Sequence, residues 1–418
     1  MATHRAETSA AALSNRYRKI REQSLALIAG LQPEDTVVQS MPDVSPTKWH
    51  LAHVTWFFEH FVLEPGLKNY TRFDDHYHYL FNSYYYTAGQ MHARPKRGLL
   101  SRPTLAQILD YRSHVDTAMQ QLLQSNAADE HIAKVIMIGL NHEQQHQELL
   151  LTDVKHVFSC NPLQPPVSGT LDVAMTTAVD AYSYSDGNAG IRSIGSDGSG
   201  FAFDNETPRH EALLQDHRIG NRLVCNGEYR EFIQDGGYDN CELWLSDGWA
   251  TVKEHGWRRP LYWDEALEQE FTLGGVREID SNAPVCHVSY YEADAFARWS
   301  GARLPTEFEW EAAAETQAVR GNLLESNHWH PIASGGAQYF GDVWEWTSSS
   351  YVPYPGFKPL DGTLGEYNGK FMCNQMTVRG GSCVTAHDHI RATYRSFFYP
   401  DARWQFLGIR LAKDGHGD

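Results

Sequence analysis

The chain has 418 residues, with 35 Lys and Arg against 52 Asp and Glu, a formal charge of −17. That length implies two or three domains and a core large enough to need no disulfide or structural metal. The acidic balance argues against nucleic acid and anionic membrane as partners, both of which call for basic surface. Residues 42% apolar and 21% charged exclude wholesale disorder. No stretch approaches the ~20 apolar residues of a membrane span. The opening MATHRAETSAAALSNRYRKIREQ carries polar and charged residues where a signal peptide needs an apolar centre. The six cysteines are scattered without a C-x-x-C pair, consistent with reduced, mostly packed thiols. A soluble, cytoplasmic protein is expected.

The first 160 residues read as helices. Tyr17, Ile20, Leu25, Leu27, Ile28 and Leu31 lie near helical spacing and run into Gly30 and Pro33, a stop signal. A second run extends from Trp49 to Leu63 and closes at Pro65-Gly66. A third starts after Pro103 at Thr104, an N-cap residue, and carries Leu105, Ile108, Leu109, Val115, Met119 and Leu122. A fourth spans about Asp129 to Phe158. Four long helices with one long connection, residues 66–103, predict a bundle whose sites are built from facing helices. Residues 161–195 have linker and turn chemistry, with Asn161-Pro-Leu-Gln-Pro-Pro followed by Ser/Asp/Gly-rich pieces. From about 196 to 415 the chain is rich in Gly, Trp and Tyr, with short strand-like pieces and an amphipathic helix over Tyr290–Ser300. The predicted class is α+β, with a helical domain over 10–160, a linker, and an irregular α+β domain over 196–415.

The strongest local signal is His142-Glu143-Gln144-Gln145-His146 in the fourth helix. Two His at i and i+4 share one helical face, where both rings can reach one ion. Trp49-His50-Leu51-Ala52-His53 adds two more imidazoles, either of which packed on that face would complete a three-His site. The same five residues match the H-E-x-x-H protease motif. The metzincin continuation fails, since Leu149 and Thr152 stand where a glycine and a third His belong. A gluzincin Glu is also missing, because no Glu occurs between Glu148 and Glu206. The long connection carries Phe81-Asn-Ser-Tyr-Tyr-Tyr86 and then Arg94-Pro-Lys-Arg97, either a packed aromatic loop with surface charge or a loop supplying a phenol and Arg forks to a site.

Together these blocks resemble the iron(II) sulfoxide synthases of the ergothioneine pathway, the hercynine oxygenases. The matching stretches are Ser45 to His53, Phe81 to Tyr85, Arg94 to Pro103 and Asn141 to His156. In the C-terminal half they are Gly200 to Glu206, Arg303 to Glu307, Gly341 to Trp346, Arg379 to Ser382 and Ala402 to Phe406. The N-terminal group is similar to a DinB-like four-helix bundle. The C-terminal group resembles a formylglycine-generating-enzyme (sulfatase-modifying) domain of C-type-lectin-like fold. The resemblance implies Fe(2+) held by His53, His142 and His146, and a catalytic phenol at Tyr84 with Tyr85 beside it. It implies Arg94 and Arg97 on the carboxylate of the sulfur donor, with Gln145, Ser396, Phe397 and Phe398 where the betaine lies. The implied substrates are hercynine, cysteine or γ-glutamylcysteine, and O₂. Branches of the family that use a selenosugar donor or histidine as acceptor remain open, because Ser396 and Tyr399 depart from the expected Tyr-Arg-Asn-Phe-Phe-Pro-Pro block. The formylglycine-generating chemistry itself is not expected, since Cys373 and Cys383 do not have the spacing of a paired-cysteine copper site. Two other classes stay in view: a zinc hydrolase or thiol transferase on the bundle, and a non-catalytic lectin-like binding module.

Overall fold

A computed structural model describes residues 10–125, 129–172 and 177–415. It divides into two compact units. The first holds the described residues up to Val167 together with two segments from later in the chain, Gly198–Phe203 and Pro359–Tyr367. The second holds the rest.

The first unit is a helical bundle. Its long helices are α1 (Ala10–Leu27), α2 (Thr47–Phe58), α4 (Leu105–Gln124) and α5 (Glu130–Ser159), with a short α3 (His76–Phe81) in the long connection. Local chemistry sets the starts. Thr104 caps α4 reciprocally with Gln107, and the Asp129 carboxylate accepts the Ile132 N–H at 2.8 Å to cap α5. Helix α2 begins directly after Pro46 and is buried along its whole length. It continues into a π-helical turn, Glu59–Leu63, around the buried Glu59 carboxylate. That carboxylate accepts from the Tyr70 and Tyr111 hydroxyls, each at 2.7 Å. Helices α2 and α5 approach closely at Gly139, where an added Cβ would lie 2.7 Å from Phe58 and 2.8 Å from Phe57. Only a residue without a side chain allows that spacing.

The second unit is built on small sheets. A four-stranded sheet has the order β10 (Leu407–Gly408), β7 (Trp344–Ser350), β8 (Met376–Arg379) and β9 (Ser396–Phe398), with β10 parallel to β7 and the other pairs antiparallel. A three-stranded sheet has the order β1 (Tyr184–Asp186), β4 (His217–Gly220) and β11 (Ala412–Asp414). Two hairpins, β2 (Gly190–Ile194) with β3 (His210–Leu214) and β5 (Gln269–Thr272) with β6 (Gly275–Glu278), complete the strands. Four helices pack around them: α6 (Asn226–Gln234), α7 (Ser246–His255), α8 (Tyr290–Trp299) and α9 (Glu307–Ala314). Helix α8 falls where the amphipathic pattern placed it; α6, α7 and α9 were not foreseen. Trp310, Trp344 and Trp346 are core residues, and the fully buried Arg379 pairs with Glu307 at 3.0 Å and Glu311 at 2.8 Å.

Candidate metal centre

Trp49, His53 and Trp56 recur at i, i+4 and i+7 on α2, so their rings line one face of the helix. The His53 ring stacks on Trp49 at 4.7 Å and 12°, and on Trp56 at 5.7 Å and 16°. From α5, His142 and His146 meet that face, with the His53 ring 5.0 Å from His142 and 4.7 Å from His146. One ring nitrogen from each of the three falls within 4.8 Å of the others. His53 donates from Nδ1 to the Phe81 carbonyl at 2.6 Å, leaving Nε2 buried with no hydrogen-bond partner. Neither ring nitrogen of His142 has a partner. Buried polar atoms without partners are uncommon, and a metal ion among these rings would satisfy Nε2 of His53 and one nitrogen of His142.

All three imidazoles are held neutral. Burial drives the pKa of His142 down to about 3. Burial is also the main cause at His53 and His146, reinforced at both by the charge His142 would carry. Neutral rings present lone pairs, so the set suits a divalent cation rather than an anion.

His50 is not a fourth member. Its Nε2 lies 3.0 Å from Asp153 and its Nδ1 2.8 Å from His146 Nδ1, so both nitrogens are committed within the protein. Glu143 is committed too. Its carboxylate accepts from Arg21 at 3.1 Å, from Ser24 Oγ at 2.7 Å and from Arg112. Burial opposes its ionisation, but Arg112 and Arg21 outweigh that and bring its pKa down to about 2. A carboxylate so low and so fully paired is no general base, which removes the H-E-x-x-H hydrolase reading on physical grounds.

The comparisons with known proteins match this architecture. Residues 16–150 fit the DinB superfamily model, and residues 186–331 and 326–415 fit the sulfatase-modifying factor enzyme 1-like domain. A hercynine oxygenase of Mycolicibacterium thermoresistibile is 30% identical over 98% of this chain and 95% of its own length. The chain belongs to the hercynine oxygenase family. A second hercynine oxygenase, from Mycolicibacterium smegmatis, is 34% identical over 66% of this chain and 70% of its own. Ergothioneine biosynthesis protein 1 of Schizosaccharomyces pombe is 28% identical over 51% of this chain and 28% of its own. The fold is therefore an N-terminal DinB-like helical domain followed by a C-type-lectin-like domain of the sulfatase-modifying kind.

Within this hercynine oxygenase-family chain the two arginines differ in setting. Arg97 is buried, donates to Ser45 Oγ and Ser83 Oγ at 2.9 Å each, and lies 3.3 Å from the centre of the Trp49 ring. Its Nε has no partner. Burial and the nearby Arg94 pull its pKa well below the usual guanidinium range. Arg94 is exposed and donates to the Asp43 carbonyl. Tyr85 is fully buried with its ring 4.6 Å from Tyr84. Burial, with Tyr84 and Tyr367 next, pushes its hydroxyl well above the usual phenol range.

One residue escaped the sequence reading. Tyr367, in the segment Pro359–Tyr367 that joins the bundle unit, sets its ring 5.6 Å from His142 and 6.3 Å from Tyr84. Its hydroxyl donates to Gln145 Oε1, and its ring stacks on Phe203 at 5.3 Å. The neighbouring Glu366 accepts the backbone N–H groups of Tyr86 at 3.0 Å and Thr87 at 2.9 Å, tying the segment to the tyrosine loop. Ser396, Phe397 and Phe398 belong to the second unit, on its edge strand β9. There Phe397 stacks on Tyr351 at 4.0 Å and Phe398 lies 6.4 Å from Trp404. All six cysteines are free, with Cys373 exposed and Cys383 buried. No helix among the described residues is long and apolar enough to cross a membrane.

Proposed function

We propose that this chain is an iron(II)-dependent sulfoxide synthase of ergothioneine biosynthesis. It joins the sulfur of cysteine or γ-glutamylcysteine to the imidazole carbon between the ring nitrogens of hercynine. The balance is one C–H and one S–H consumed with one O₂, giving a C–S bond, a sulfoxide oxygen and one water. The observation that carries the reading is the cluster of three imidazoles, two fully buried with unsatisfied ring nitrogens and the third, His146, half-buried beside them, in a chain of the hercynine oxygenase family. His53, His142 and His146 would hold the iron, which when bound supplies the one-electron chemistry of O₂ and lowers the pKa of a coordinated thiol.

The remaining work falls to side chains of the protein. Three neutral ligands add no negative charge, which leaves room for an anionic thiolate beside the substrate imidazole. Arg97, with Arg94 at the surface, would anchor the carboxylate of the thiol substrate through charge-assisted hydrogen bonds. Tyr367, with its ring against His142, would be the proton-giving phenol once its hydroxyl turns from Gln145 to substrate, with Tyr84 in edge contact and Tyr85 tilted beside Tyr84. This adds Tyr367 to the expected catalytic pair, Tyr84 with Tyr85 beside it.

Anaerobic reconstitution with iron(II), followed by air, hercynine and cysteine, tests the reading. Oxygen uptake should require both organic substrates, and the product mass should equal their sum less two hydrogens plus one oxygen. Untouched oxygen with cysteine, γ-glutamylcysteine and a selenosugar alike would overturn it.

A further inference from the structure

We infer that His50 and Asp153 form a proton-ordered relay that fixes which nitrogen of His146 faces the metal. The inference rests on reading His146 as a ligand, and it follows from counting protons along one chain of contacts. The backbone N–H of Ser45 donates to Asp153 Oδ2 at 2.7 Å, which commits that oxygen to accepting. His50 Nε2 lies 3.0 Å from the same oxygen and must therefore carry a proton. The inferred order gives His50 this one ring proton, so its Nδ1 keeps a lone pair. His146 Nδ1 sits 2.8 Å from it and has to supply the proton for that bond. Only Nε2 of His146 is left with a lone pair.

The other two histidines frame the argument. The Phe81 carbonyl sets the tautomer of His53 directly, because a carbonyl can only accept. Nothing bonds to either nitrogen of His142, so its tautomer is open until an ion arrives. His146 is the one ligand whose neighbour is another imidazole, which could equally donate or accept. A carboxylate behind that neighbour removes the choice, and His50 and Asp153 are both buried, so water does not scramble the order. The same Ser45 whose N–H binds Asp153 also accepts from Arg97 through its hydroxyl. The relay and the candidate carboxylate-binding cation thus share one anchor. His50 and Asp153 are positioning residues here; neither touches the reacting atoms.

Two variants separate order from bulk. Gln at position 50 can accept from His146 Nδ1 through its carbonyl and donate to Asp153 through its amide, whereas Leu can do neither. The first readout is the metal-free protein, with histidine labelled by ¹⁵N and tautomers read from two-bond N–H couplings. Wild type and His50→Gln should show His146 protonated at Nδ1, and His50→Leu should show a mixture or the Nε2–H form. The second readout is anaerobic affinity for Fe(II), checked with Co(II) by its visible absorption. His50→Leu should lose about 10- to 100-fold, the usual cost of removing a partner behind a ligand, while His50→Gln stays close to wild type. An Nε2–H tautomer of His146 in the wild-type apoprotein would overturn the inference, and so would equal affinities for the Leu and Gln variants. Wild type that shows the Nδ1–H form yet binds neither metal would support the proton order and count against the metal reading instead.

Discussion

Replacing Glu143 by Gln tests whether this carboxylate supports the bundle or acts on substrate. The group is fully buried, and Arg21, Arg112 and Ser24 hold it ionised. Lowering its pKa from 4.5 to about 2 corresponds to about 3 kcal/mol of folding stability by proton linkage. The sign follows from the depressed value. The contribution is complete above the unfolded pKa of 4.5 and is lost as the pH falls through about 2. Removing one partner from a buried ion cluster costs about 3–5 kcal/mol, because Arg21 and Arg112 are left without their counter-charge. Gln keeps the shape and some hydrogen bonding, so the lower end, about 3 kcal/mol, is the expectation. The assay is urea unfolding read by pulsed hydrogen exchange on peptides of α1, α4 and α5, which isolates the bundle from the second unit. Glu143→Gln should lower the bundle midpoint at neutral pH, and the gap from wild type should close on acidification below 4.5. A variant with an unchanged midpoint and pH response but no turnover would refute the reasoning, since it would place the carboxylate on substrate.

Three other outcomes follow from the same geometry. His142→Ala removes the candidate ligand whose nitrogens have no other partner, and stoichiometric Fe(II) binding by anaerobic titration should be lost without a fall in the apoprotein melting temperature. Gly139→Ala places a methyl 2.7 Å from Phe58, and the overpacking should lower bundle stability by about 1–3 kcal/mol in urea. Arg97→Lys loses the planar fork held by Ser45 and Ser83, so KM for the thiol should rise by roughly 10-fold, a loss of one charge-assisted contact, with kcat at saturation little changed.

The parts of this molecule legible in the sequence are those governed by short-range rules. Thr104 and Asp129 announce their helices because a cap and its partner are three residues apart. His142 and His146 announce a shared face because the helix repeat puts them there. The missed helices of the second unit are short, but α9 carries the same signal as α4: Thr306 and Glu309 form a reciprocal cap that reads directly from the chain. The choice between His50 and His53 had no local solution. It turns on Asp153, 103 residues from His50, and on the Phe81 carbonyl, 28 residues from His53. Tyr367 is harder still, since its partner Gln145 is 222 residues away and nothing around Gly362–Glu366 resembles a site. Its only sequence signal is the acidic residue beside it, Glu366, which finds the Tyr86 and Thr87 amides across the fold.

The same distinction explains why Glu143 misleads. H-E-x-x-H specifies residue types on a helix, but a helix of this length has a face on either side of the pair. In α5 the residues at 142 and 146 face Trp49, His53 and Phe57 on α2. Position 143 is rotated by about 100° from 142 along an ideal helix, which carries it toward α1 and α4. Arg21 on α1 and Arg112 on α4 wait there, and Arg21 also binds Asp116 at 2.7 Å. The ion cluster pins α5 to both neighbouring helices at the level of the candidate metal ligands. Three neutral imidazoles form no ion pairs with neighbouring helices, so the pinning of α5 comes from another side chain. In this chain the acid of the motif supplies that pinning from an adjacent face of the same turn.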